Sequence, residues 1–138
     1  MTQGRVYNKT YADIYMKGKL VEEVGSLLDH MLMEDIATAK IIKADFGTSF
    51  DTIRYLKNKE NSISHDTIRK FCYIIGYYLS KEIQAVEDFK KNVRERESRL
   101  QMLYEMKETY KIIYGMQANI VLNLIHKGED IKAFVMQG

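Results

Sequence analysis

Three features of the sequence predict an all-α fold. There is no proline and there are only 8 glycines in 138 residues, so the turn punctuation of a many-stranded sandwich or barrel is missing and long helices are permitted. Apolar residues recur at helical spacing, as at positions 20, 21, 24, 27, 28, 31 and 32. Thr38, Ser49 and Ser64 stand where N-caps belong, each ahead of an apolar run. A hydrophobic fraction of 46% is enough to bury a core, and the length suits one domain, or one small domain with an appendage.

The net charge is only +2, which excludes a general polyanion-binding tail and leaves room for a local basic face. The single cysteine, Cys72, has no partner for an internal disulfide and fits a reducing compartment. The first residues, MTQGRVYNKTYADIY, lack the apolar core of a signal peptide. The apolar runs fall well short of the ~20 residues of a membrane span. A soluble cytoplasmic protein with no membrane contact is expected.

Taken in order, residues 1–19 read as a basic N-terminal arm: Arg5, Lys9, Lys17 and Lys19 against Asp13 give +3. Val6, Tyr7, Tyr11, Ile14 and Tyr15 offer anchors if the arm is partly ordered. Residues 20–34 form a helix with one buried stripe, with Gly25 inside it and an acidic complement of Glu22, Glu23, Asp29 and Glu34. Thr38 caps the next helix, which turns Ile41, Ile42 and Phe46 inward and stops at Gly47. Ser49 caps a third, with Ile53 and Leu56 inward, and KNKENS (57–62) is a loop. Ser64 caps a fourth, with Ile68, Phe71, Cys72 and Ile75 inward and Asp66 favourably placed in its first turn. Gly76 is expected to end or bend it.

Beyond residue 80 the pattern changes. Residues 87–99 hold nine charged side chains in thirteen, with signs interspersed. Val86, Phe89, Val93, Leu100 and Leu103 form a heptad-like seam with a missing knob at Arg96, and it resumes as Met106, Tyr110, Ile113, Ile120 and Leu124. Gly115 is a candidate break, Gly128 a candidate end cap, and the last ten residues a tail knotted at Phe134-Val135-Met136. An unbroken 80–127 helix would run ~70 Å and must pair with another chain or fold back as a hairpin. The apolar density after residue 102, with Ile112, Met116 and Ile120 among it, requires burial in the same chain or against a partner. A homodimer through the ten seam residues is the expected arrangement.

Residues 38–76 carry the informative motif. Gly47-Thr48-Ser49 leads into Phe50-Asp51-Thr52-Ile53, and after a polar loop comes Ser64-His65-Asp66-Thr67-Ile68-Arg69-Lys70-Phe71. With the 20–34 helix, this stretch resembles the helix-turn-helix of the Cro/CI-type (Xre-like) phage repressors, over about 55 residues. The resemblance implies a lambda-repressor-like DNA-binding domain at 20–79, followed by a helical oligomerisation region and short tail at 80–138. It implies that the helix at 50–57 reads the major groove of double-stranded DNA. Phe50, Asp51 and Tyr55 then face bases, and Arg54 a base or a phosphate. Thr38, Ser49, Thr52, Lys57, Asn58 and Lys59 lie near phosphates, joined by Lys40 and Lys43. Residues 40–70 hold seven basic and four acidic side chains, a local +3. The function so implied is a repressor-like transcriptional regulator, of a phage or other mobile element, acting as a dimer on a two-fold operator. No cofactor is implied.

Two departures keep a second reading open. Ala39 stands where many family members have glutamine, and the base-facing positions are Phe50, Asp51 and Tyr55 rather than amides, hydroxyls or arginines. An aromatic pair on an exposed helix also suits a protein partner. The alternative is a protein-binding module, such as an inhibitor, antirepressor or adaptor. No catalytic constellation is present, and an enzyme is not expected. His30, His65 and His126 are too scattered for a metal site. Cys72 reads as a buried, inert thiol.

Overall fold

A computed structural model describes residues 2–60, 62–88 and 93–137, with side chains at 17–136 apart from 61 and 89–93. These residues form seven helices and no strand. The helices are α1 (Thr2–Met33), α2 (Ala39–Phe46), α3 (Phe50–Lys57), α4 (His65–Asp88), α5 (Val93–Tyr114), α6 (Met116–His126) and α7 (Ile131–Gln137). The all-α expectation is met.

The caps lie where the sequence puts them. Thr38 Oγ1 accepts from the Ile41 amide at 3.1 Å, Ser49 Oγ from Thr52 at 3.1 Å and Ser64 Oγ from Thr67 at 3.2 Å. The Gly47 amide closes α2 on the Lys43 carbonyl at 2.9 Å. The chain breaks at Gly115 between α5 and α6, and beyond α6 the Gly128 amide meets the Ile125 carbonyl at 3.0 Å.

Helix α4 is the hub. It packs against α1, α5, α6 and α7, and buries Phe71, Cys72, Ile74, Ile75, Tyr78 and Leu79. Each large apolar side chain so buried contributes about 1.5–3 kcal/mol. Val21, Val24, Leu27, Leu28 and Met31 of α1 join the same core, as the 20–34 stripe predicts.

Several expectations change. Residues 2–19 are helical and continuous with 20–33, so α1 has no break where the arm was expected to end. The side chains of the proposed anchors before residue 17 lie outside the described residues. Gly76 does not end its helix: α4 runs on to Asp88, across the expected division at 79/80. Ile41, expected inward, is 46% exposed. The tail is a helix, α7, which buries Ile131 and Val135 and starts on Asp130, whose carboxylate accepts from the Lys132 amide at 3.1 Å.

The long C-terminal region folds back within the chain. Tyr110 donates to the Cys72 carbonyl and Tyr114 to the Ile68 carbonyl, each at 2.7 Å. Four residues forward on α5 match four residues backward on α4, so the two helices are antiparallel. Leu103, Met106 and Tyr110 are buried in this chain's own core and are not available as knobs for a second one. Val86, Leu100, Ile113 and Leu124 pack half-buried against that core, and Ile120 is exposed. The side chains of Phe89 and Val93 lie outside the described residues. A seam made of all ten residues is therefore corrected to an intramolecular hairpin, because one helix face cannot fill two interfaces.

Candidate nucleic-acid interface

The α2–turn–α3 unit is held from beneath. Helix α2 buries Ile42 and Phe46, and α3 buries Ile53 and Leu56. Helix α1 meets the far end of α3 at Gly25, where a Cβ would lie 2.4 Å from the Leu56 carbonyl oxygen. No residue with a side chain fits that approach undisturbed, which accounts for a glycine within a helix where it costs about 1 kcal/mol relative to alanine.

The outward face of α3 carries Phe50, Asp51, Arg54 and Asn58, with Tyr55 and Thr52 half-buried at its edge. Lys40 and Lys43 of α2 are exposed beside it. The Lys43 ammonium sits 4.5 Å from the centre of the Phe50 ring, a cation–π contact that joins the two helices. Arg54 pairs with Asp51 at 3.0 Å and lies 5.2 Å from the Tyr55 ring. Both members of that ion pair are largely solvated, so it adds little stability and is readily exchanged for another anion. The hydroxyls of Thr38 and Ser49 act as caps, and Ser49 Oγ also lies 2.9 Å from Thr52 Oγ1.

Of the expected DNA-facing residues, Lys57 and Lys59 are placed differently. The Lys57 ammonium is 3.9 Å from Asp29 of α1. Lys59 lines a groove with Glu22 and Glu23. Both cations therefore sit against the acidic side of α1, where a phosphate would meet carboxylates as well. Lys40, Lys43, Phe50, Asp51 and Arg54 form the exposed group the fold brings together, and Asn58 caps the C-terminal end of α3.

One positioning network is not foreseen in the sequence. The Tyr78 hydroxyl of α4 donates to Asp45 of α2 at 2.6 Å, and Lys132 of α7 lies 3.4 Å from the same carboxylate. The Tyr78 bond, followed by Lys132, holds the Asp45 carboxyl below its ordinary range despite some desolvation. Burial and the Asp45 charge push the Tyr78 phenol up. Phe46 packs edge-on to Tyr77 and Tyr78, with centroids 5.5 and 5.8 Å away. Helix α2 is thus tied to α4 and α7 behind the exposed face. The only hint in the sequence is an acid three residues past the Ile42 knob; its partners are 33 and 87 residues away.

A cavity of about 440 Å³ opens beside the α2–α3 turn, between Ser49, Thr67, Lys70 and Met136. Among the described residues there is no group of three or more His, Cys, Asp or Glu able to hold a metal ion. None of the described helices is long and apolar enough to cross a membrane. No family model, curated protein or solved structure matches the chain.

Proposed function

We propose that the protein is a sequence-specific double-stranded DNA-binding transcriptional regulator of the repressor type, using α2 and α3 as a helix-turn-helix. The observation that carries this reading is the outward face of the pair. Two short capped helices, anchored by Ile42, Phe46, Ile53 and Leu56, leave Lys40, Lys43, Phe50, Asp51 and Arg54 exposed together. Arg54 and Lys43 supply charge to phosphates or to guanine edges, Phe50 contacts a thymine methyl, and Asp51 accepts from cytosine. Such a protein reads a two-fold operator as a dimer and acts by occupying it.

Fluorescence anisotropy with duplex DNA across a salt series tests the reading. Binding whose affinity falls linearly in log–log form as salt rises supports it, and binding absent at low salt counts against it. A protein-docking role is the second reading. It is favoured by the 48% exposure of Phe50 and by the internal neutralisation of Arg54 by Asp51.

A further inference from the structure

The cavity beside the α2–α3 turn is lined by one cation, several hydroxyls and apolar side chains, and by no carboxylate. At about 440 Å³ it lies within the ~300–1,000 Å³ of small-molecule sites. Its apolar part is Phe46, Phe71 and Val135, with Met136 of α7 still 65% exposed beside them. Its polar part has donors to spare. Among the described residues, the Lys70 ammonium and the Thr48 hydroxyl have no partner. Ser49 and Thr52 spend one of their two hydroxyl protons on their mutual 2.9 Å bond and keep the other. The acids on the surrounding helices are already engaged. Asp45 of α2 is held by Tyr78 and Lys132, and Asp51 of α3 by Arg54. Asp66 stands four residues before Lys70, a pairing distance on a helix, but Arg69 takes its carboxylate in the neighbouring groove. Helix α7 has no acid.

We infer that this cavity binds a small molecule with an anionic head group and an apolar body. The head lies on Lys70 and the hydroxyls of Thr48 and the Ser49–Thr52 pair, and the body against Phe46, Phe71, Val135 and Met136. Charge selects the head. A cation and hydroxyl protons without acceptors call for a carboxylate or phosphate oxygen, which makes the strong, charge-assisted kind of hydrogen bond. The apolar lining selects the body. A bare phosphate answers the donors alone and leaves those side chains in water, whereas a ring or short chain removes their surface from it. The lining residues come from α2, the turn, α3, α4 and α7, so the occupant joins the turn to the helices behind it. The site goes beyond the DNA-binding reading and does not rest on it.

The test is a titration of the full chain followed by amide chemical shifts in nitrogen–proton correlation spectra. Three probes are used: phenyl phosphate, inorganic phosphate and benzyl alcohol. Phenyl phosphate is expected to bind with a dissociation constant of ~1 mM or tighter, shifting the amides of Gly47, Thr48, Ser49, Lys70 and Val135. Inorganic phosphate, which lacks the body, and benzyl alcohol, which lacks the charge, are each expected to bind at least ~10-fold more weakly. Lys70→Gln is expected to weaken phenyl phosphate at least ~10-fold. Its circular dichroism spectrum and melting midpoint should not change, because Lys70 is exposed. No saturable shift at these amides, or undiminished binding by Lys70→Gln, overturns the assignment. Inorganic phosphate binding as tightly as phenyl phosphate also overturns it, in favour of a bare phosphate such as a duplex backbone offers. Benzyl alcohol binding as tightly overturns it in favour of a merely apolar cleft. No duplex is present, so none of these outcomes depends on the DNA reading.

Discussion

The Tyr110 hydroxyl reaches across from α5 to the Cys72 carbonyl at 2.7 Å, and it does so over Gly76. A Cβ at residue 76 would lie 2.6 Å from that hydroxyl oxygen and 3.0 Å from Val121. The glycine is there so that α5 and α6 can close on α4.

Gly76→Ala is therefore expected to destabilise by about 1–3 kcal/mol through overpacking, despite alanine's better helix propensity. Tyr110→Phe is expected to cost about 1 kcal/mol, the net value of one hydrogen bond. The double variant is expected to cost less than the two single costs added, because removing the hydroxyl relieves the nearest clash. Urea midpoints of the four proteins measure this; strict additivity would mean the two residues do not meet.

Gly25 plays the corresponding part beneath α3. Gly25→Ala drives a methyl against the Leu56 carbonyl, a backbone atom that cannot rotate away, and is expected to cost about 1–3 kcal/mol. It is also expected to weaken duplex binding at a concentration where the variant remains folded, since α3 must shift to accommodate it. Unchanged affinity in a folded Gly25→Ala protein would show that the placement of α3 does not matter to binding.

The thiol of Cys72 is fully buried, and desolvation pushes it up to about 11 from an ordinary 9.0, with the Tyr110 contact a smaller opposing effect. Because the folded value is the higher, this group's contribution is complete below the ordinary value. It is lost as pH rises through the folded one, since the unfolded thiol ionises first. Wild type is expected to lose more stability than Cys72→Ala between about pH 9 and about pH 11. Disulfide-exchange reagents at neutral pH are expected to react at the rate of global opening.

Asp45 has the opposite sign. Its folded value is depressed, so its bond to Tyr78 and its pairing with Lys132 stabilise above the ordinary carboxylate range. That contribution fades as pH falls through the folded value. Melting midpoints followed from about pH 6 to about pH 3 are expected to fall more steeply for wild type than for Asp45→Asn. Parallel curves would show that the network contributes nothing.

Around α2 and α3, the cations divide into two groups. Lys43→Ala and Arg54→Ala are each expected to reduce the salt slope of duplex binding by about 1. Lys57→Ala and Lys59→Ala are expected to change it little, because these lysines face Asp29, Glu22 and Glu23. Equal effects from all four would place both groups on phosphates.

The elements governed by local chemistry were legible in the sequence. The caps at Thr38, Ser49 and Ser64, the stop at Gly47, the joint at Gly115 and the buried stripe of 20–34 depend on neighbours a few residues away. The remainder depends on contacts distant in sequence. Gly76 has the same local signature as a helix end, and only Tyr110 and Val121 reveal it as a close approach. Ile41 follows Thr38 at an apolar spacing, but α2 is a short helix packed on one side, and Ile42 and Phe46 fill that side. The seam from Val86 to Leu124 has the same periodicity whether its partner is another chain or α4. Lys57 and Lys59 are basic residues in a basic stretch, and the carboxylates opposite them come from α1.

The measurement that bears most directly on the central claim is selection of random duplex DNA on the purified full chain at two salt concentrations. Enrichment of a two-fold symmetric sequence is expected, with affinity falling steeply at the higher salt and half-sites spaced by whole helical turns. No enriched sequence at either salt, with the protein folded and concentrated enough to dimerise, would contradict sequence-specific DNA recognition by α3.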